Sequence, residues 1–233
     1  MTSRRTTIAA ILLIISPLVF LVLEATATSA WNNPPYSYRW DAVSDIGNPH
    51  PHDFLFGQHV NSPWYFVQNF AFLVQGVTFA IIVIMLFRLV SGRRRYALAV
   101  TGLAHALGML LVSVFSQQSV NGFELLVHEA GAALILVGTA LEVLVGLLTV
   151  LAGAALWYRI LSVILGITGF ISFASLILIP AVGTVVGGGL GERIALYGFF
   201  VWEIITGISL LVRSRRVGSL PVTLARAPEG ANA

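Results

Sequence analysis

Four side chains in this chain are of types that could act together chemically: Ser44, Asp45, His128 and Arg193. A serine hydroxyl becomes a nucleophile only beside a base, and Asp45 and His128 are candidates for acid–base or ligand roles. The plainer alternative has Ser44 or Asp45 cap a short helix or turn that Gly47-Asn48-Pro49 closes. Arg193 stands at the start of an apolar helix, where the backbone dipole disfavours a cation. Such a residue should be held by a carboxylate in a forked hydrogen bond. Asp45 is the expected partner, pinning its loop over the mouth of the last helix, with Glu124 and Glu129 as alternatives.

Two further sets stand apart from these four. The run His50-Pro51-His52-Asp53 offers imidazoles and a carboxylate that suit a divalent metal, provided the flanking prolines hold it extended. The alternative is a solvated Pro-rich loop. His105, Glu142 and Glu203 fall inside apolar stretches, where an ionisable side chain is expensive and marks function by default. The alternative there is a neutral side chain hydrogen-bonded to the next helix. Glu124, His128, Gly131, Gly138, Glu142 and Gly146 share one helical stripe, whose small residues admit a close neighbour. His128, His105, Glu142 and Glu203 could together line a polar cavity or a proton path.

The elements that must hold these groups are membrane helices. The 233 residues are 57% hydrophobic and 10% charged, far below the roughly 25% charge of soluble domains. A span needs about 20 mostly apolar residues. Six segments qualify: 8–30, 64–90, 96–115, 125–148, 160–181 and 194–212. They predict an all-α bundle of six transmembrane helices as one domain, 1–212, with a disordered cytoplasmic tail, 213–233. The runs are too long and too little alternating for membrane strands. All thirteen basic residues are arginine, and all but Arg39 and Arg193 fall on one side of such a bundle. The excess of arginine on cytoplasmic loops then places both termini in the cytoplasm and the 31–63 loop outside.

That loop is too aromatic to be disordered and should fold onto the bundle. Gly187-Gly188-Gly189 reads as a flexible connection, with an anion site on its amides as the alternative. Arg4-Arg5, an apolar run and Ala25-Thr26-Ala27 also resemble a cleavable signal, but the apolar character continues to Trp31, long enough for a retained span. The net charge of +3 is no sign of nucleic-acid binding. Without cysteine, disulfides, thiolate metal sites and cysteine nucleophiles are excluded. No pair of histidines suits haem.

Tyr36, Ser44-Asp45-Ile46-Gly47 after the first span, His128 opening the fourth and Gly191-Glu192-Arg193 opening the sixth resemble a bacterial and archaeal family. That family is the membrane family catalogued as domain of unknown function 998. The resemblance covers about residues 8–212 and implies the six-span architecture and an outer-face site, but no activity. The His50–Asp53 run is no part of it. Three functions fit a multi-pass protein of the plasma membrane. The first is an intramembrane enzyme acting on a lipid or lipid-linked substrate. The second is a non-catalytic accessory or scaffold subunit with a membrane-protein partner, and the third a small proton-coupled transporter. No cofactor is evident beyond the divalent metal the histidines would admit.

Overall fold

A computed structural model describes residues 4–49, 51–53, 59–117, 122–148 and 154–218. Six long helices cross the molecule: α1 (Arg4–Ser29), α3 (Tyr65–Leu86), α4 (Arg94–Val114), α5 (Gly122–Leu147), α6 (Leu156–Leu178) and α8 (Gly188–Gly218). Each is long and apolar enough to cross a membrane. Between them lie a single turn, α2 (Val43–Ile46), the two-residue strands β1 (His52–Asp53) and β2 (His59–Val60), and the short α7 (Pro180–Val182). The strands pair antiparallel, His52 opposite Val60 and Asp53 opposite His59.

Short connections after α3 force the later spans to run antiparallel, and the long segment between α1 and α3 returns α3 beside α1. Each packs on its sequence neighbour, and α8 closes the ring against both α6 and α1. The polarity of a soluble protein is inverted. Val22, Phe66, Val100, Leu126, Ile171 and Val201 face outward, while Gln68, Gln75, His105, Glu142 and Glu203 are buried to 1% exposure or less. Lipid contact selects that pattern, because hydrocarbon accepts no hydrogen bonds.

Glycines set how close the helices come. A methyl group on Gly108 would lie 2.5 Å from the Gly131 carbonyl, and one on Gly146 would lie 2.6 Å from that of Arg159. The stripe on α5 therefore presses against α4 on one side and α6 on the other. Gly138 leaves room for the His105 ring, into which an added methyl would project. Gly138→Ala should lower stability by about 1–3 kcal/mol through overpacking, read as a drop in the thermal midpoint of the detergent-purified protein.

Two boundaries depart from the sequence reading. The last span does not begin at residue 194: helix starts at Gly183 with a π turn, Gly183–Gly187, and continues through the glycine run into α8. The glycines serve a close approach instead of a flexible link. Gly187 takes φ +106°, and Gly189 and Leu190 donate to the Trp40 and Arg39 carbonyls at 3.2 and 2.9 Å. A side chain on Gly187 or Gly189 would collide with the backbone of Arg39 or Asp41. At the other end α8 runs to Gly218, past the expected stop at 212. The rest of the expected tail, 219–233, lies outside the described residues.

Candidate functional site beneath the lid

The described residues between α1 and α3 form a lid over one end of the ring. Its anchor is Arg193, 4% exposed. One guanidinium nitrogen donates to the carbonyls of Tyr38, Asp41 and Gly189 at 2.9, 2.8 and 3.1 Å. The other donates to Glu24 Oε1 at 2.9 Å and to the Tyr36 hydroxyl. Tyr197 adds bonds of 2.9 Å to both Glu24 oxygens. The Tyr36 and Tyr38 rings lie 5.4 and 4.8 Å from the guanidinium carbon, so the cation is screened on its faces as well as its edges. Burial pushes the Tyr36 hydroxyl up from its usual range, against the pull of Arg193. It stays a donor at neutral pH and reaches the Asp41 carbonyl at 3.2 Å.

Asp45 is not the partner of Arg193. The ion pair is Glu24–Arg193, between the ends of α1 and α8. Asp45 instead accepts the Ala42 amide on Oδ2 at 2.8 Å and so caps α2. Glu192 reaches up from α8 and accepts the Val43 amide at 2.5 Å on the same turn, and it also bonds the Ser44 amide. Two carboxylates thus satisfy the amides that begin a helix, where negative charge is favoured. All three acids around this turn are covered: Asp41 and Asp45 are buried and Glu192 is half-buried. Asn69 and Ser62 tie the far end of α2 through the Gly47 and Ile46 carbonyls at 3.0 and 2.6 Å.

Burial raises the Asp45 carboxyl from 3.8 to about 7, with the Ala42 amide opposing, Glu192 and Asp41 adding to the rise and Arg193 opposing it. An acid held above its unfolded value favours folding most when protonated. That contribution is complete below about pH 4 and is lost as pH rises through 7. Asp45→Asn keeps the capping oxygen and removes the titration. Its thermal midpoint should fall less than that of the wild type between pH 5 and 8, and parallel pH profiles would show that Asp45 does not titrate there.

Behind α2 lies a cavity of about 40 Å³, enough for one or a few waters. Ser44, Glu192 and His128 stand in its wall, and His105 lies in the same wall. The Ser44 hydroxyl donates to Gln117 Oε1 at 2.8 Å. Each histidine places Nδ1 on a carbonyl, His128 on Phe115 at 2.7 Å and His105 on Ile135 at 2.9 Å. A carbonyl only accepts, so in the neutral rings Nδ1 carries the hydrogen and Nε2 the lone pair. His105 Nε2 has no partner among the described residues. Its ring stacks on Phe199 at 4.0 Å and meets Phe79 edge-on at 5.2 Å.

Below this aromatic block the polar groups continue. Glu203, one turn beyond Phe199 on α8, accepts from Gln75 at 2.8 Å, and Gln75 accepts from Ser16 at 2.5 Å. Glu142 on α5 is near enough for its charge and that of Glu203 to interact. Among the described residues, both oxygens of Glu142 and one of Glu203 are buried without a partner. Next come Tyr158 and Thr206, hydroxyl to hydroxyl at 2.7 Å, with Ser162 receiving the Trp202 indole at 3.1 Å. By helix rise, His128 to Ile135 and Ile135 to Glu142 are each about 10 Å.

The structure therefore brings Ser44 and His128 to one cavity, sets Asp45 in the lid and leaves Arg193 on α8, holding the lid from below. Among the described residues no three His, Asp or Glu side chains gather closely enough to hold a metal ion. His50 and the side chains of His52 and Asp53 lie outside the described residues. Sequence reasoning missed Glu24 as the partner of Arg193 and Gln75 as that of Glu203. The available signal was that an acid inside an apolar span needs a partner, and Glu24 is the one acid of its span.

A family profile described as "Protein of unknown function (DUF998)" matches residues 14–209. No curated protein and no solved structure matches the chain. The matched stretch takes in part or all of each of the six spans, the whole lid and the Glu24–Arg193 pair, and so the chain belongs to the DUF998 family.

Proposed function

We propose that the protein is a small proton-coupled transporter of the cell membrane, with the lid outside and the arginine-rich loops in the cytoplasm. The arginine distribution supports the orientation. The observation that carries the reading is the Glu142–Glu203 pair, wholly buried, with three of its four carboxylate oxygens unpartnered. An isolated charge at this depth is expensive, and a carboxyl group there meets the cost by holding a proton or a cation. The groups around the pair form a descending series. His128 and Glu192 receive protons beneath the lid, and His105 carries them past the aromatic block. Glu203 and Glu142 hold them at mid-membrane. Tyr158 and Thr206 lead to the groove of about 470 Å³ between α6 and α8 that reaches Arg213. Purified protein in liposomes should acidify the lumen under an imposed pH gradient, and Glu203→Gln should stop it.

A second reading keeps the intramembrane enzyme acting on a lipid or lipid-linked substrate. It is favoured by Ser44, Glu192 and His128 sharing one cavity wall. Under that reading His128→Ala abolishes turnover while Glu203→Gln leaves it intact, which separates the two. An accessory subunit would tolerate both replacements and co-purify with its membrane-protein partner.

A further inference from the structure

We propose that the arginine-rich end of the bundle holds an anionic phospholipid, one acyl chain inserted between the helices and the headgroup on Arg95. A cavity of about 90 Å³ opens there inside the ring and meets the polar series above it at Thr206 and Trp202. Its wall is apolar apart from Arg95 and Thr206, with Leu86, Leu98, Val145 and Leu210 among the lining side chains. Trp202 and Leu210 both stand in its wall and are eight residues apart on α8, so the crevice runs about 12 Å along that helix. Water gains nothing in such a space. The apolar chain that the bilayer supplies at this depth is that of a lipid.

The charge at the mouth selects the headgroup. Arg88, Arg93, Arg94 and Arg95 fall within the connection between α3 and α4 and the first residues of α4. Arg94 is engaged with the Leu148 carbonyl at 3.1 Å. The Arg95 guanidinium lies over the Phe87 and Tyr96 rings at 5.2 and 4.8 Å and donates to the Tyr96 hydroxyl at 2.9 Å. Its Nε is buried and has no hydrogen-bond partner among the described residues. A planar donor group held at the rim of an apolar slot, with one donor unused, matches a phosphate whose chain fills the slot. A zwitterionic headgroup brings the same phosphate together with a cationic ammonium, which the arginines around the site disfavour.

The test is native mass spectrometry of the full-length protein in mild detergent with equimolar phosphatidylglycerol and phosphatidylcholine. Arg213→Gln serves as the control arginine at the same end of the bundle. The wild type should retain phosphatidylglycerol over phosphatidylcholine. Arg95→Gln should cut that preference about fivefold, the scale of one arginine near an anionic surface, with Arg213→Gln unchanged. Leu98→Phe, which narrows the slot, should lower retention of both lipids. Equal retention of the two lipids by the wild type would overturn the proposal. So would equal losses in Arg95→Gln and Arg213→Gln at unchanged thermal midpoints.

Discussion

Arg193→Ala lowers folding stability by about 3–5 kcal/mol, the usual cost of removing one partner from a buried ion pair. The reason is the group left behind. Glu24 is 1% exposed, and without the guanidinium its carboxylate keeps, among the described residues, the Tyr197 hydroxyl alone. The lid loses its hold at the same time, because three carbonyls share one nitrogen of Arg193. Arg193→Lys should recover little, since an ammonium cannot reproduce a planar fork spread over a carboxylate, a phenol and three carbonyls. Glu24→Ala should cost a similar amount. In a double-mutant cycle the two should couple by well over about 1 kcal/mol, as contacting charges do. Asp45→Ala should cost about 1–2 kcal/mol for a lost cap and couple to Arg193→Ala much more weakly than Glu24→Ala does. Strong coupling of Arg193 to Asp45 and none to Glu24, in thermal or denaturant unfolding, would reverse this assignment.

Glu203→Gln stops proton uptake, by at least roughly tenfold, with little loss of stability. The substitution is nearly isosteric, and the amide oxygen can accept the 2.8 Å bond from Gln75, so the Ser16–Gln75 chain remains. What disappears is the only exchangeable carboxyl proton at that point of α8. Glu142→Gln should act alike, since its two oxygens touch no donor and its side chain supports no neighbour by hydrogen bonding. Loss of both flux and fold in Glu203→Gln would make the residue a packing element, whereas unchanged flux would remove it from the path.

The six spans were legible because twenty apolar residues in a row have one economical fate in a bilayer. The close contacts of α5 were legible too, since Gly131, Gly138 and Gly146 repeat on one face of a helix. The start of the last span was not. Gly187-Gly188-Gly189 has the composition of a linker, and only the lid backbone lying against it shows why glycine is needed inside a helix. Pairing was the least readable layer. Arg193 required a carboxylate on physical grounds, and its choice of Glu24 over Asp45 depends on α1 packing beside α8, which no spacing encodes. The capping alternative for Asp45 was visible in Ser44-Asp45-Ile46-Gly47, and the geometry takes it. Ser44 and His128, 84 positions apart in the chain, share a wall because the lid folds back over the ring.

The most direct measurement is proton flux into liposomes that enclose a pH-sensitive dye, comparing wild-type protein, Glu203→Gln and protein-free vesicles under the same acid pulse. The account predicts luminal acidification above the protein-free rate for the wild type, and the protein-free rate for Glu203→Gln. Wild-type protein that is folded and reconstituted yet acidifies the lumen no faster than empty vesicles would contradict it.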